Sequence, residues 1–564
     1  MTPSCLWIVG LIGFLILANE PCVAGDNEKG MVATVHNLAT MAGVEALQEG
    51  GNAIDAAVAA GLFLGVVDSH NSGMGGGCFM LIRLASGEIV ALDGRETSPA
   101  KAHRDMYVRN GHAIPELSRT GPLAVAIPGQ VAAFHEAIER YGKLPWKRHC
   151  LAAADVAEKG FAVTKNYESR LSSVRADLSK FAAARSIFMK EDGSTWQAGE
   201  QLSQPDLGQT LRALAREGPA WFYNGPFAQR TAEWMKENGG LITAADFSGY
   251  KVKHREPLQT KYRGHTILGF PPPSSGGVHV GQILNILESF DLKAMGQGSA
   301  DFIHVVAEAM KLAFADRAFW LGDPDFAKVP KGLIDKAYAT SLAQRIDLKK
   351  ATNVRGHSTP PNASKDVFEK HTTHYSTADA EGNWVACTAT INTTYGSKVV
   401  IPTTGVVLNN EMDDFSAKPG VANQFGVVGG DANAIQPFKR PLSSMTPTIL
   451  MKNGVPAMVL GSPGGSRIIT TVFQVLLNAL DYKMPLKAAV DAPRYHHQLL
   501  PENTIFTEPY APALSDLKQE LQRRNYRIEA QNYNGDIAAI QVKNGQPLVS
   551  PDPRARGAAR ITRR

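Results

Sequence analysis

Two hydrophobic periods alternate along the chain. Asn37 to Gly50 reads as a helix stopped at Gly50-Gly51. Asn52 then caps a second helix, Ala53–Val67, whose run of alanine and apolar residues marks a buried core helix. Phe79 to Ala91 reads as two strands turning at Ala85-Ser86-Gly87. Ser299 caps an amphipathic helix from Ala300 to about Phe319, to which a packing role is assigned. Thr372 to Ala378 alternates as a strand does, Asp379-Ala380-Glu381-Gly382-Asn383 has turn chemistry, and Trp384 to Asn392 is the β-branched, apolar return. A hairpin centred on Glu381 pairs residues whose numbers sum to 762, so Thr372 faces Thr390 on one sheet face.

The polar stretches between these elements carry their own expectations. Ala351 to Glu369, with Pro360-Pro361, reads as the most flexible segment, and it runs into Lys370-His371-Thr372. Asn71-Ser72-Gly73-Met74-Gly75-Gly76-Gly77 lacks the Gly-Lys-Ser/Thr ending of a phosphate loop, and tight backbone packing accounts for it better. Pro271 to Gly277 is a rigid turn. Arg554, Arg556, Arg560, Arg563 and Arg564 form a tail expected to be frayed and solvated.

Composition narrows the class. The chain has 564 residues, 44% hydrophobic and 20% charged, with a formal net charge of +5, an ordinary soluble balance that gives no reason to invoke nucleic acid. The apolar run Cys5 to Ala18, followed by Cys22-Val23-Ala24, reads as a secretory leader (1–24) cleaved after Ala24. No Lys or Arg precedes the run, so a retained anchor is the alternative, although the run is shorter than the ~20 residues of a spanning helix. The protein is therefore expected to be exported, to the periplasm or the medium. Cys78, Cys150 and Cys387 are scattered and make no disulfide framework.

Metal chemistry finds no support. His135-Glu136 would need a second histidine at 139, which is Glu139, and His496-His497 reads as structural. No metal and no cofactor is expected. Thr–Thr pairs such as Thr372/Thr390 are ordinary sheet stabilisers when taken alone. Their setting changes the reading. TTHYS…DAEGNWVACTATINTT, VVLNNEMDDFS, KRPLSSMTPT and GSPGGSR occur in order, and together they closely resemble the γ-glutamyltransferase family from about Met31 to Pro553.

That resemblance implies an α+β fold, a four-layer αββα sandwich of the N-terminal-nucleophile hydrolase type. It implies a precursor that cuts itself between His371 and Thr372 into intertwined subunits, 25–371 and 372–564. The implied activity is γ-glutamyl transfer from glutathione and related γ-glutamyl amides to water, amino acids or peptides. Thr372 is the implied nucleophile. The freed α-amine of a threonine has a pKa of ~7.7–8.0, so nucleophile and base can belong to one residue. His374, two residues along the same strand face, is the rival base. Thr390 supports Thr372, and Gly464 and Gly465 supply oxyanion donors. A γ-glutamyl group carries both an ammonium and a carboxylate. Glu411, Asp414 and Asn392 suit the first; Arg95, Ser443 and Ser444 suit the second. Ser416 to Ala432 resembles a lid in which Phe425 stands where many bacterial members carry a tyrosine. Two rivals remain: a β-lactam or other amide acylase on the same fold, and an exported γ-glutamyl-peptide binding protein without turnover.

Overall fold

The computed structural model describes residues 29–361, 373–416, 426, 429–509, 514–531, 535–554 and 557–563. The expected leader 1–24, the expected cut site His371/Thr372 and Phe425 lie outside the described residues. In chain order the strands of the two main sheets begin with Lys29–Thr34 (β1), Gly77–Arg83 (β2), Ile89–Gly94 (β3), Lys253–Arg255 (β4), Leu258–Tyr262 (β5) and His265–Gly269 (β6). They continue with Thr373–Ala378 (β7), Trp384–Thr390 (β8), Thr448–Lys452 (β9), Val455–Leu460 (β10), Ala538–Lys543 (β11), Gln546–Pro551 (β12) and Ala558–Arg563 (β13). One sheet runs β13-β1-β7-β8-β2-β3-β4, the other β12-β11-β10-β9-β6-β5.

Strand alternation sorts the side chains into three apolar layers. Cys78, Met80 and Ile82 of β2 face a helical layer that includes Ala53–Val67 (α1) and Gln130–Tyr141 (α2). Phe79 and Leu81 face the other way and meet Ile449, Val459 and Ile540 between the sheets. Leu450, Met458 and Leu460 turn outward to a second helical layer containing Ser275–Leu287 (α3), Ala300–Trp320 (α4) and Arg467–Leu480 (α5). The result is the expected αββα sandwich. The α1 helix has its predicted bounds, and Asn52 and Asp55 form a reciprocal capping box at its start.

The hairpin register agrees with the arithmetic of the sequence. Thr373 pairs with Ala389, Tyr375 with Cys387 and Ala378 with Trp384. The glycine-rich segment packs backbone to backbone: a side chain on Gly75 would collide with the Val407 carbonyl, and one on Gly76 with the Thr390 carbonyl.

Three expectations are corrected. The α4 helix is not amphipathic; Phe302 to Arg317 are all buried, because the helix lies inside the outer layer with other chain covering it. The arginine-rich tail is not a frayed end, since β13 pairs with β1 along six residues from Ala558 to Arg563. Arg554 is only 4% exposed at its side chain, in ion pairs with Glu508 and Asp552. The first part of the polar segment, 351–361, is fastened down. Thr352 N–H donates to Glu308 at 3.0 Å, Ser358 N–H to Asp316 at 2.7 Å, and the Trp320 indole to the Ser358 carbonyl at 2.9 Å. Residues 362–371 lie outside the described residues.

Candidate active site

Strand β8 delivers Thr390 to the end of the first sheet, where it pairs with Gly77 on β2. Its hydroxyl oxygen accepts the Asn392 N–H at 2.7 Å. That bond holds the turn in which Asn392 takes φ +73, a left-handed conformation that asparagine tolerates better than most side chains. The Asn392 amide donates to the Asn410 carbonyl at 2.9 Å. Its Oδ1 is buried and has no hydrogen-bond partner among the described residues.

Asn409 and Asn410 build the wall of this turn. Asn409 accepts the N–H groups of Ala126 and Glu411, and donates to the carbonyls of Gly75 and Ala126. Asn410 accepts Thr393 N–H at 3.0 Å and donates to the Arg119 carbonyl. Sequence reasoning quoted both residues without assigning them a role. Two adjacent asparagines before a run of acids were the available sign, since a buried amide can serve several backbone groups at once.

Beyond Asn410 the chain enters a short 3-10 turn, Glu411–Asp414, which presents its acids to Arg95. Arg95 is fully buried. It donates to Glu411 at 2.5 Å, to Asp414 at 2.7 Å, to Glu96 at 3.4 Å and to the Pro441 carbonyl at 3.2 Å. The arginine and the two acids assigned to opposite ends of a zwitterion are thus in direct contact. Four of the five guanidinium N–H groups are used within the protein. One cation serves three carboxylates, and two of them, Glu96 and Glu411, have raised pKa values. Burial, reinforced by Glu96 and Asp414, pushes Glu411 well above the usual carboxylate range, even with Arg95 beside it. Burial likewise raises Glu96 to about 7. Glu411 Oε2 and Glu96 Oε1 are buried without a hydrogen-bond partner among the described residues.

Ser443 and Ser444 follow Pro441 on the same segment. Ser443 Oγ accepts the Met445 N–H at 3.3 Å. Ser444 Oγ is buried and lacks a hydrogen-bond partner among the described residues.

Gly464 and Gly465 precede helix α5 with φ +125 and +60, values that side-chain-bearing residues rarely adopt. Their carbonyls accept Arg467 and Ile468 N–H and so turn the chain into the helix. Their own N–H groups have no partner among the described residues, and they sit at the positive end of a 14-residue helix.

A cleft of about 1010 Å³ is lined by Thr390, Asn392, Gly464 and Gly465. Arg95, Glu411, Asp414, Ser443 and Ser444 are not among its lining residues, and all five are buried. Thr372 lies outside the described residues. His374 is buried and committed at both nitrogens: Nε2 lies 3.0 Å from Ser376 Oγ, Nδ1 3.0 Å from Thr388 Oγ1. Because the Ser376 hydroxyl donates to the Ala538 carbonyl at 2.9 Å, it can only accept from His374. Burial holds the His374 pKa down to about 3. His496 is similarly engaged by Thr470 and Gln498, as expected of a structural residue. The described residues contain no group of three or more metal-ligating side chains.

Comparison with known proteins converges with this geometry. A family model described as Gamma-glutamyltranspeptidase matches residues 39–562. The glutathione hydrolase proenzyme of Escherichia coli (strain K12) is 45% identical, over 94% of this chain and 91% of that protein. The glutathione hydrolase proenzyme of Pseudomonas aeruginosa is 42% identical over 100% of both chains. Among solved structures, the cephalosporin acylase from Bacillus halodurans superposes with a TM-score of 0.85 at 28% identity, covering 95% of this chain and 96% of that one.

Proposed function

The chain belongs to the γ-glutamyltranspeptidase family, and on that premise we propose how its residues carry the reaction. The enzyme transfers a γ-glutamyl group from glutathione or another γ-glutamyl amide to water, an amino acid or a peptide. It is made as a precursor on a leader (1–24) that directs export, and it cuts itself between His371 and Thr372 to give subunits 25–371 and 372–564.

The Thr372 hydroxyl first attacks the His371 carbonyl, and water releases the resulting ester. The freed α-amine then takes the hydroxyl proton as Thr372 Oγ attacks the γ-carbonyl of the substrate. The amine of the leaving group departs with a proton, and a γ-glutamyl ester remains. Water or an acceptor amine cleaves that ester and returns a proton to Oγ. The register of β7 with β8, continued by one residue, favours Thr390 as the cross-strand partner that orients Thr372. The Gly464 and Gly465 N–H groups suit the developing oxyanion, and loss of one such donor costs ~3–4 kcal/mol in comparable sites.

The observation that carries the substrate assignment is the trio of buried, unsatisfied oxygens Asn392 Oδ1, Glu411 Oε2 and Ser444 Oγ around an arginine–acid cluster. Unpaired buried acceptors beside excess carboxylates suit an ammonium. The remaining Arg95 N–H and the serines suit a carboxylate. An acylase acting on a side chain without an α-amine has no use for such a cluster.

Electrophoresis and mass spectrometry of purified protein, with an assay of cysteinylglycine release from glutathione, test the reading. Two fragments meeting at 371/372 and stoichiometric release are expected. A permanently single chain that binds γ-glutamyl peptides without turnover would replace the enzyme with a binding protein.

A further inference from the structure

The cleft that holds Thr390, Gly464 and Gly465 is far larger than a glutamyl group, and its lining includes several cations. Helix Lys165–Ser173 contributes Lys165, Asn166 and Arg170 to that lining. Asn166 and Arg170 are one helical turn apart and share a face. Arg467 and Arg554 also line the cleft, but Arg554 is neutralised by Glu508 and Asp552, and Arg467 is tied to Gln531. Lys165 and Arg170 are exposed and form no ion pair among the described residues.

The acids facing them are few. Asp68 and Asp536 line the cleft. Asp68 is enclosed by the Asn71 amide, at 3.1 and 3.2 Å, and by His70 at 3.1 Å. Burial raises it to about 7, so it offsets the cations only in part.

Building on the γ-glutamyl-transfer reading, we propose that Lys165 and Arg170 form the subsite for the carboxylate of the acceptor, and equally of the cysteinylglycine that leaves glutathione. Amino acids and peptides that accept or leave through an amine also carry a carboxylate. A pair of cations lining the same cleft as the oxyanion glycines can hold that carboxylate while the amine of the molecule reaches the acyl carbon. Two exposed cations in an open cleft give steering and orientation rather than tight binding, which suits a site that one molecule must vacate before another enters. Asn166 lies 3.4 Å from His70 Nε2 and so links the helix to another residue of the cleft lining.

The test measures transfer from γ-glutamyl-p-nitroanilide to glycylglycine and to glycylglycinamide, which lacks the carboxylate. For the unmodified enzyme, KM for the amide is expected to exceed KM for glycylglycine by about two- to fivefold, the range of an exposed ion pair. In Lys165→Ala/Arg170→Ala that ratio should fall toward one, through a rise in KM for glycylglycine alone. Arg170→Glu, a single surface change, should reverse the preference and serves if the double variant processes poorly. An unmodified enzyme indifferent to the carboxylate, or variants that keep the discrimination, would overturn the subsite. Failure to release p-nitroaniline at all would overturn the underlying reading instead, so the two failures are distinguishable.

Discussion

The two halves of the proposed site pose opposite electrostatic problems. Thr390, Asn392, Gly464 and Gly465 offer the cleft hydroxyl, amide and backbone N–H groups, and none of these four side chains carries a charge. Around Arg95, three carboxylates are crowded out of water, and burial raises the pKa of Glu96 and of Glu411. Chemistry on an amide needs dipoles aimed at charge that appears only in passing. Recognition of a zwitterion needs permanent charges whose desolvation is offset only when the right partner arrives. The asparagines 409 and 410 couple the halves by carrying the chain from one to the other through hydrogen bonds.

The sharpest way to break the comparison is at the nucleophile. Thr372→Ala should leave one uncut chain with no measurable turnover, whereas Thr372→Ser should process and turn over slowly. Two-band processing in the alanine variant would refute the chemistry assigned to this half. On the recognition side, Asp414→Ala removes one acid from Arg95 and should lower kcat/KM for γ-glutamyl amides roughly 10- to 150-fold, the range of a charge-assisted contact. Processing should persist, because self-cleavage involves no glutamyl group; kinetics like those of the parent would misplace the ammonium pocket.

A smaller effect follows from the raised acids. A carboxyl whose folded pKa exceeds its unfolded value holds its proton better when folded, so its contribution to stability falls as pH rises from about 4.5 to about 7 for Glu96. Glu96→Gln should therefore flatten the decline in Tm between pH 5 and 8, as thermal unfolding of the uncut Thr372→Ala precursor would report. The least effect is expected at His374. Because both its nitrogens are committed and burial keeps it neutral, His374→Gln should leave the neutral-to-alkaline limb of the activity profile in place. Disappearance of that limb in a folded, processed variant would move the base from the α-amine to the ring.

Local pattern made some of this legible in the sequence. The β7–β8 register followed from turn chemistry and alternation, which act over a few residues. The α1 helix followed from its cap and its composition. The helix α4 misled because periodicity reports contrast between faces, and a helix covered all round has little to report. The tail misled because an arginine-rich end looks frayed until a distant strand, 29–34, offers it a ladder. At the site, the residue types were readable as acids and an arginine suited to a zwitterion. Their mutual contact was not, since Arg95 and Asp414 meet only through tertiary folding, which spacing along the chain does not encode.

The strand order has a consequence for the life history of the protein. In the first sheet, strands from either side of position 372 alternate, with seams at β13/β1, β1/β7 and β8/β2; the second sheet is joined across β9/β6. A cut before Thr372 is thus a nick in a woven fabric, and the pieces cannot part without unravelling both sheets. Once unravelled, they face a different problem from the one the nascent chain solved. The precursor refolds as one molecule, but the nicked enzyme must first find its other half. Recovery from denaturant should be independent of concentration for Thr372→Ala and concentration-dependent for the processed enzyme. Maturation would then make the protein's first folding its only easy one.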